Sequence, residues 1–337
     1  MGWHRIVAFL AIVTGCGAAF VDAGVADDAF YKGKTVTILV GFGVGGGNDL
    51  YARLLARYLG KYIPGNPTVI VENLPGEGSL AAVRQLDLSG ARDGSMITTF
   101  QSGTITQSVA TPDKMKIDFR NYAWVGVASG EVRVCYGYGP NGVKSWDDLM
   151  SRKQFVLGTT SKGSASYING AMLRMFGAPV KLVLGYTGAH EQRLAVQRGE
   201  LDGDCGGISS IPSDWLRDGL AHIFVRFSDK HPPEIPDSSL YLRARAKTDE
   251  QRQLFDMLTA TDQLGRVFVM SSLAPPERVN IMRQAFDAAM KDKDFLAEAA
   301  KEQLPIDPMT GFQADRLAEK ILSASPEVVA LAKDIYN

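Results

Sequence analysis

The sequence predicts an α/β protein made of two lobes, and two patterns support that prediction. In both halves of the chain, short apolar strands run through glycine-rich or hydroxyl-rich loops into periodic helices, which is typical of parallel strands with helices on both faces of a sheet. This alternation restarts at Ser145, after two consecutive apolar strands in residues 124–138. A length of 337 residues suits two lobes of ordinary domain size.

The first strand-loop-helix unit is the most informative segment. The β-branched run of residues 35–40 predicts a strand, five glycines follow between Gly41 and Gly47, and residues 50–59 have helical periodicity. Glycine lets the backbone approach a ligand closely, and the N-terminus of the following helix attracts anions. The loop is therefore predicted to bind an anionic group.

Two other interpretations of this loop stay open. Residues 41–46 satisfy the G-x-G-x-x-G fingerprint of dinucleotide sites, and the acidic Glu72 follows the next apolar run. However, the helix is predicted to begin only after Gly47, with Asn48 or Asp49 as its N-cap, which makes the loop longer than a pyrophosphate turn. The glycines could also do no more than form a tight turn between strand and helix.

The remainder of the first lobe repeats the pattern. Residues 67–71 predict a strand, residues 79–86 a helix with Ser79 at its N-cap, and residues 96–100 a strand that runs into a Gln-Ser-Gly-Thr turn. The chain becomes helical again from Pro275 onward, and we expect this C-terminal part to return to the first lobe.

The second lobe is predicted from the same alternation. Ser145 begins a helix with a capping-box pattern. Strands are then predicted at residues 155–158, 180–184 and 201–205, with a hydroxyl-rich loop at residues 159–164. Ligands of open parallel sheets bind outside the carboxyl ends of the strands. If the lobes face each other, the loops of both therefore line one cleft.

The N-terminal segment is typical of a secretory signal peptide. Residues 1–5 are short and basic, residues 6–20 are apolar but too short to span a membrane, and residues 21–23 form a small-residue cleavage site. We therefore expect export to the periplasm, with the signal peptide in residues 1–23. The alternative is a lipobox-like segment that ends at Cys16 and would place a lipid anchor on that residue.

Composition argues against a nucleic-acid partner and does not decide whether the cysteines pair. A net charge of −1 gives no basic surplus that would favour nucleic acid. Beyond the signal peptide, no apolar stretch approaches membrane-spanning length. Cys135 and Cys205 remain after the signal peptide. Export permits a disulfide between them, although buried free thiols are the favoured interpretation.

The sequence contains no recognisable catalytic or metal-binding motif. Its four histidines lack two-ligand spacing, and the C-x-x-C, G-x-S-x-G and G-x-x-x-x-G-K-[ST] patterns are absent. Asp202 and Asp204 flank a glycine, and paired carboxylates can serve acid–base chemistry, but a structural role or a contact with a ligand hydroxyl fits them equally well. We expect a binding protein and not an enzyme, with no cofactor and no metal.

Four motifs follow one another along the chain. They are VGFGVGGGNDLYAR at residues 40–53, VIVENLPGEG at 69–78, GTTSKGSASY at 158–167, and LGYTG at 184–188 followed by GELD at 199–202. In this order they resemble the V-P-[FY]-x-x-G-G-x-[TN]-D-x-x-A-R, V-V-V-E-N-R-P-G-A-G, G-S-x-G-x-x-S-x-H and V-P-Y-x-G motifs of the Bug or TctC-type extracytoplasmic solute receptors of tripartite tricarboxylate transporters. The resemblance covers nearly the whole mature chain.

This resemblance implies a type II periplasmic-binding-protein fold, in which two α/β lobes close on a ligand that is commonly a carboxylate. Lobe I is expected in residues 27–130 and 263–337, and lobe II in residues 131–262. The residues implied to line the cleft come from loops of both lobes. They are Phe42, Gly43, Val44, Gly45, Gly46, Gly47 and Asn48; Ser102, Gly103 and Thr104; Ser161, Lys162, Gly163 and Ser164; and Tyr186, Thr187, Gly188 and Asp204.

The resemblance also implies a function. We expect a monomer that captures a small organic acid, either a di- or tricarboxylate or an aromatic carboxylate, and delivers it to integral-membrane permease subunits. Lys162 is the only cationic side chain in the predicted loops and is a candidate partner for a carboxylate. Tyr167 stands where the family often has histidine, and residues 184–186 and 204–207 also depart from its pattern, so the ligand's identity stays open. A ligand sensor for a signalling kinase and a nucleotide-dependent α/β enzyme are the alternatives.

Overall fold

The structure is a computed structural model that describes residues 1, 30–88 and 92–336. The predicted signal peptide, apart from its first residue, and the alternative anchor at Cys16 lie outside the described residues. In the described part, two six-stranded sheets with flanking helices form two lobes, so the predicted α/β class and two-lobe fold are confirmed. None of the helices there combines the length and the hydrophobicity that a membrane-spanning helix needs.

The strands and helices have the following bounds. The strands are β1 Thr35–Val40, β2 Thr68–Asn73, β3 Met96–Thr99, β4 Tyr122–Val127, β5 Val134–Tyr138, β6 Phe155–Thr159, β7 Val180–Leu184, β8 Gly203–Asp204, β9 Ala221–Arg226, β10 Leu240–Tyr241, β11 Val267–Ser271 and β12 Met309–Thr310. The helices are α1 Gly47–Leu59, α2 Leu80–Gln85, α3 Gly103–Ala110, α4 Pro112–Met115, α5 Trp146–Ser151, α6 Ala165–Met175, α7 Ala189–Gln197, α8 Ser213–Arg217, α9 Asp249–Ala260, α10 Pro276–Ala289, α11 Lys293–Lys301, α12 Gly311–Leu322 and α13 Pro326–Tyr336.

The two sheets share one design. The first has the order β12-β4-β11-β3-β1-β2, with β1 parallel to β2 and β3 and with β11 inserted antiparallel between β3 and β4. The second has the order β10-β9-β5-β8-β6-β7, with β6 parallel to β7 and β8 and with β5 inserted antiparallel between β8 and β9. In each sheet, the parallel strands end at one edge, which carries the strand-to-helix loops.

Strand β1 shows why the first unit folds as predicted. Val36, Ile38 and Val40 are fully buried and lie in one hydrophobic cluster with Leu54 and Leu55 of helix α1. The continuous apolar run suits a strand covered on both faces, and the spacing in α1 places its leucines on the face toward the sheet. The sheet thereby fixes the glycine loop that connects β1 to α1.

Helix α1 begins earlier than predicted. Its first residue is Gly47 and its N-cap is Gly46, not Asn48 or Asp49. The Asp49 side chain instead accepts a hydrogen bond from the backbone of Gly45, at 2.8 Å, from inside the first turn. Loop length therefore does not separate this site from a dinucleotide site. The strand order does separate the two folds. In this sheet β1 lies between β2 and β3, whereas the dinucleotide-binding fold has the order 3-2-1-4-5-6, with strand 1 between strands 2 and 4.

Cys135 and Cys205 form a disulfide, so the favoured interpretation of free thiols is wrong. Strands β5 and β8 pair antiparallel with Tyr136 opposite Asp204, which places the two cysteines next to each other. The two cysteines are 70 residues apart in the sequence. Their pairing follows from the strand order and not from any local pattern.

Two chain segments cross between the lobes side by side, and we call residues 128–133 and 261–266 the hinge. Ala128 N donates to Arg266 O, and Arg266 N donates to Ser129 O, both at 2.9 Å. Further along, Glu131 N donates to Asp262 O at 2.8 Å. Paired crossovers of this kind allow two lobes to rotate about a short axis.

Candidate functional site

Asp49 holds the glycine loop in place. Its Oδ2 atom accepts from Gly45 N at 2.8 Å and from Arg53 Nε at 2.9 Å, and its Oδ1 atom accepts from Asn73 Nδ2 at 2.8 Å. Asn73 also donates to the Phe42 carbonyl at 3.0 Å. Burial acts to raise the pKa of Asp49, but the hydrogen bonds from Arg53, Gly45 and Asn73 outweigh it and lower the pKa. These motif residues therefore position the loop.

The glycine loop itself is exposed. Gly45 has φ +83°, a conformation that favours glycine, and neither at Gly43 nor at Gly45 would a Cβ atom meet anything within 4 Å. Phe42 is half-buried and packs on the core of its lobe, whereas Val44 is exposed. The first N–H groups of α1 follow directly and lack helical acceptors. The loop can thus offer backbone donors to an anion.

The turn after β3 lies at the same edge of the first sheet. Residues 102–104 are buried there, and Gln101 N donates to Ser79 Oγ at 2.8 Å. Ser79 occupies the predicted N-cap position of α2 without capping the helix, because its backbone is left-handed (φ +81°) and not in the β region of an N-cap. Asn48 Oδ1 accepts from Thr99 Oγ1 at 3.3 Å and so connects the start of α1 to the end of β3.

The hydroxyl-rich loop of the second lobe leads into helix α6. Ser164 is the N-cap, as its side chain accepts from Tyr167 N at 3.3 Å, and it donates to the Ser161 carbonyl at 2.7 Å. Lys162 Nζ donates to the Tyr336 carbonyl at 2.5 Å. Lys162 therefore contacts the C-terminal helix, while Ser164 sits where helix and loop meet.

The two lobes touch through these loops. A Cβ atom at Gly103 would overlap the Gly163 carbonyl oxygen and would lie 2.6 Å from the Ile168 side chain. A Cβ atom at Gly78 would lie 3.1 Å from Ser161 Oγ. The structure is thus a closed arrangement in which predicted site residues from lobe I and lobe II lie against each other.

The Tyr-Thr-Gly loop after β7 makes its contacts within its own lobe. The Tyr186 ring packs over Gly158, where a Cβ atom would lie 2.8 Å from the ring. Thr187 is exposed, and both its N and Oγ1 atoms donate to Glu191, at 2.7 and 2.9 Å. Gly188 has open space around it. These contacts all lie within the second lobe and do not include the glycine loop.

Asp202 and Asp204 do not act as a pair. Asp202 is exposed, and its carboxylate accepts from Val156 N at 2.6 Å. Asp204 is buried, and its Oδ1 atom accepts from Ser166 Oγ at 2.7 Å and from Cys205 N at 2.8 Å. Burial raises the pKa of Asp204, against the opposing effect of the Ser166 hydrogen bond. Its neutral form is therefore favoured more than that of an exposed aspartate.

The hinge contains two ion pairs that sequence reasoning missed. Arg133 Nε lies 3.2 Å from Asp262 Oδ1, and Arg266 Nη2 lies 2.8 Å from Glu131 Oε2. Burial acts to raise the pKa of Glu131, but Arg266 and Arg133 outweigh it and lower the pKa. Burial raises the pKa of Asp262 to about 7, against the opposing effect of Arg133. Arg133 and Asp262 are 129 residues apart, so no local pattern could have indicated the pair.

A small cavity lies between the lobes at the hinge. It is bounded by Gln101 and Ser102 of the first lobe, by Ile168 and Asn169 of the second, and by Arg133 and Asp262. It is partly open to solvent, and its volume is about 10 Å³, which holds about one water molecule. The base of the cleft is thus polar and contains a buried cation.

Comparison with solved structures identifies the fold. A TctC solute-binding protein from Polaromonas matches with a TM-score of 0.61 at 14% identity, over 90% of this chain and 98% of that one. The chain has the fold of the TctC-type solute-binding proteins. MatC from Rhodopseudomonas palustris with bound malate matches with a TM-score of 0.67 at 19% identity, over 90% and 99% of the two chains. A structure from R. palustris with adipate matches with 0.65 at 16% identity, over 89% and 97%.

These similarities confirm the fold that the sequence motifs implied. No family model matches the chain, and no curated protein matches it either. Sequence identities of this size establish the architecture alone, since proteins of one fold can have different functions. Function therefore has to be inferred from the site.

Proposed function

We propose that the protein is a periplasmic solute-binding receptor of a tripartite tricarboxylate transporter, which captures a small organic acid and delivers it to membrane permease subunits. It acts as a monomer and performs no chemistry on the ligand. Its lobe I comprises residues 27–130 and 263–337, and its lobe II comprises residues 131–262. The ligand is a di- or tricarboxylate or an aromatic carboxylate.

The approach of loops from opposite lobes, with Gly78 and Gly103 of the first lobe against Ser161 and Gly163 of the second, is the observation that supports this proposal most. The glycine loop and the start of α1 offer backbone N–H groups on one side, and the Ser161 to Ser164 loop at the start of α6 offers them on the other. Charge-assisted hydrogen bonds to a carboxylate are about twice as strong as neutral ones. Malate and adipate in two structures of the same fold fit this chemistry.

A thermal-shift screen tests the ligand class. A ligand that binds only the native state should stabilise it by about 2.7 kcal/mol at a hundredfold excess over Kd. We expect mono-, di-, tri- or aromatic carboxylates to raise the unfolding temperature, and sugars, cationic amino acids and nicotinamide dinucleotides to leave it unchanged. A response to dinucleotides alone would overturn the receptor in favour of a nucleotide-dependent enzyme.

Gly46→Val tests the glycine loop. Gly46 has φ −80° and ψ 165°, which valine adopts readily, and the nearest atom to a new Cβ is Gly43 O at 3.9 Å. We therefore expect the variant to unfold at the wild-type temperature without ligand but to lose the shift given by the best carboxylate. An unchanged shift in the folded variant would mean that the loop is only a turn.

A further inference from the structure

Arg133 is a buried cation at the base of the cleft. Its side chain is 10% exposed, and it lines the cavity between the lobes together with Gln101 and Asn169. Its Nε atom donates to Asp262 Oδ1 at 3.2 Å. Within the described part of the chain, its two terminal nitrogens, Nη1 and Nη2, have no hydrogen-bond partner. Both nitrogens keep some exposure to solvent, since the fully buried side-chain polar atoms without a partner in the described residues are Arg226 Nε, Ser239 Oγ and Arg266 Nε, so these donors are open to an incoming group.

The two terminal nitrogens of an arginine form a planar fork that matches the two oxygens of a carboxylate. We infer that Arg133 binds one carboxylate of the ligand, in the cavity between the lobes, while Asp262 holds the guanidinium through Nε. This inference rests on the proposed function and names the side chain that recognises the ligand's charge. It replaces Lys162, the candidate from the sequence, whose ammonium group donates to the Tyr336 carbonyl.

The surrounding charges leave Arg133 available. Asp262 is bonded to Arg133 through Nε alone, and burial raises the pKa of Asp262 to about 7 and also raises the pKa of Asp204. Glu131 is ionised but is already paired with Arg266 at 2.8 Å and accepts from Ser209 Oγ at 2.6 Å. Of the two hinge arginines, Arg133 is therefore the one whose carboxyl partner has a raised pKa, while the partner of Arg266 has a lowered pKa.

The cavity size requires a movement of the lobes. In this arrangement the space beside Arg133 holds about one water molecule, so a carboxylate fits against Arg133 only when the lobes stand further apart. The hinge that carries Arg133 is the axis of that movement. Ligand binding at Arg133 would thus set how far the lobes close.

Arg133→Gln and Asp262→Asn together test the inference. Calorimetric titrations at pH 8 with malate and adipate compare both variants with wild type. We expect Arg133→Gln to weaken binding of the better ligand by about 10- to 100-fold, the range for losing a hydrogen bond to a charged group. Asp262→Asn should instead strengthen binding by about threefold or more, because it removes the anion that competes for Arg133.

Arg226→Gln is the matched control. Arg226 lies in β9 opposite Val134, the neighbour of Arg133, and is partly buried, but its contacts are the Ser228 carbonyl at 2.6 Å and the Tyr241 ring. This variant should bind as wild type does.

If Arg133 served only to hold Asp262 in the hinge, both hinge variants would weaken binding alike, and that result would overturn the inference. Unchanged affinity in a folded Arg133→Gln protein would overturn it as well, while leaving the receptor function intact. A wild-type protein that binds no carboxylate contradicts the proposed function and the inference together.

Discussion

Replacing Gly103 with valine is expected to hold the lobes apart and to weaken carboxylate binding at least about 100-fold, which corresponds to about 2.7 kcal/mol. The Cβ atom would overlap the Gly163 carbonyl, which belongs to backbone and has little freedom to move, and would also press on Ile168. The valine would then hold the lobes further apart than a ligand between them requires, and a ligand held by one lobe loses the donors of the other. Titration calorimetry measures the loss, and small-angle scattering measures the opening.

Two further glycine variants, in which a new Cβ atom meets less or nothing, serve as comparisons. Gly163→Ala would place its Cβ atom 3.0 Å from Gln107 Oε1 and 3.1 Å from Thr104 Cγ2, where side chains can yield, so a smaller loss is expected. At Gly188 a Cβ atom meets nothing within 4 Å, so Gly188→Ala leaves lobe closure free and any loss of affinity would report a ligand contact of the Tyr-Thr-Gly loop. Full affinity in a folded Gly103→Val protein would show that ligand binding does not need the two lobes to approach each other.

Removing the disulfide is expected to lower the free energy of unfolding by about 2–5 kcal/mol, because the bond closes a loop across a sequence separation of 70 residues. Denaturant unfolding of Cys135→Ala/Cys205→Ala, compared with wild type, measures this difference. A reducing agent should destabilise wild type by a similar amount and leave the double variant unchanged, which makes it the control. Alkylation of both cysteines in unfolded, unreduced wild type would contradict the disulfide.

Local patterns predicted the strands and the loops well. Strand β1 has the predicted bounds, Thr35–Val40, because a run of β-branched and apolar residues favours a strand. The predicted N-terminus of α1 was wrong because Asn48 and Asp49 are favoured N-caps by composition, while Asp49 bonds instead to Arg53, one turn along the helix, and to Asn73 of β2. A partly buried hydrogen-bond network thus overrode a favoured local role.

Contacts between distant segments could not be predicted in the same way. The Cys135–Cys205 bond depends on β5 pairing with β8, and the Arg133–Asp262 pair depends on two crossovers lying side by side. Neither leaves a periodic or spaced pattern in the sequence. The site therefore has a predictable part, its loops, and an unpredictable part, its hinge charges.

Hydrogen exchange with and without a saturating carboxylate tests most directly whether one ligand is gripped by both lobes. Exchange slows where a ligand binds amide groups or excludes water. We predict slower exchange in residues 42–50 and 101–105 of the first lobe and, in the same sample, in residues 161–166 of the second. Protection confined to one lobe, or protection by a nicotinamide dinucleotide and by no carboxylate, would contradict the account.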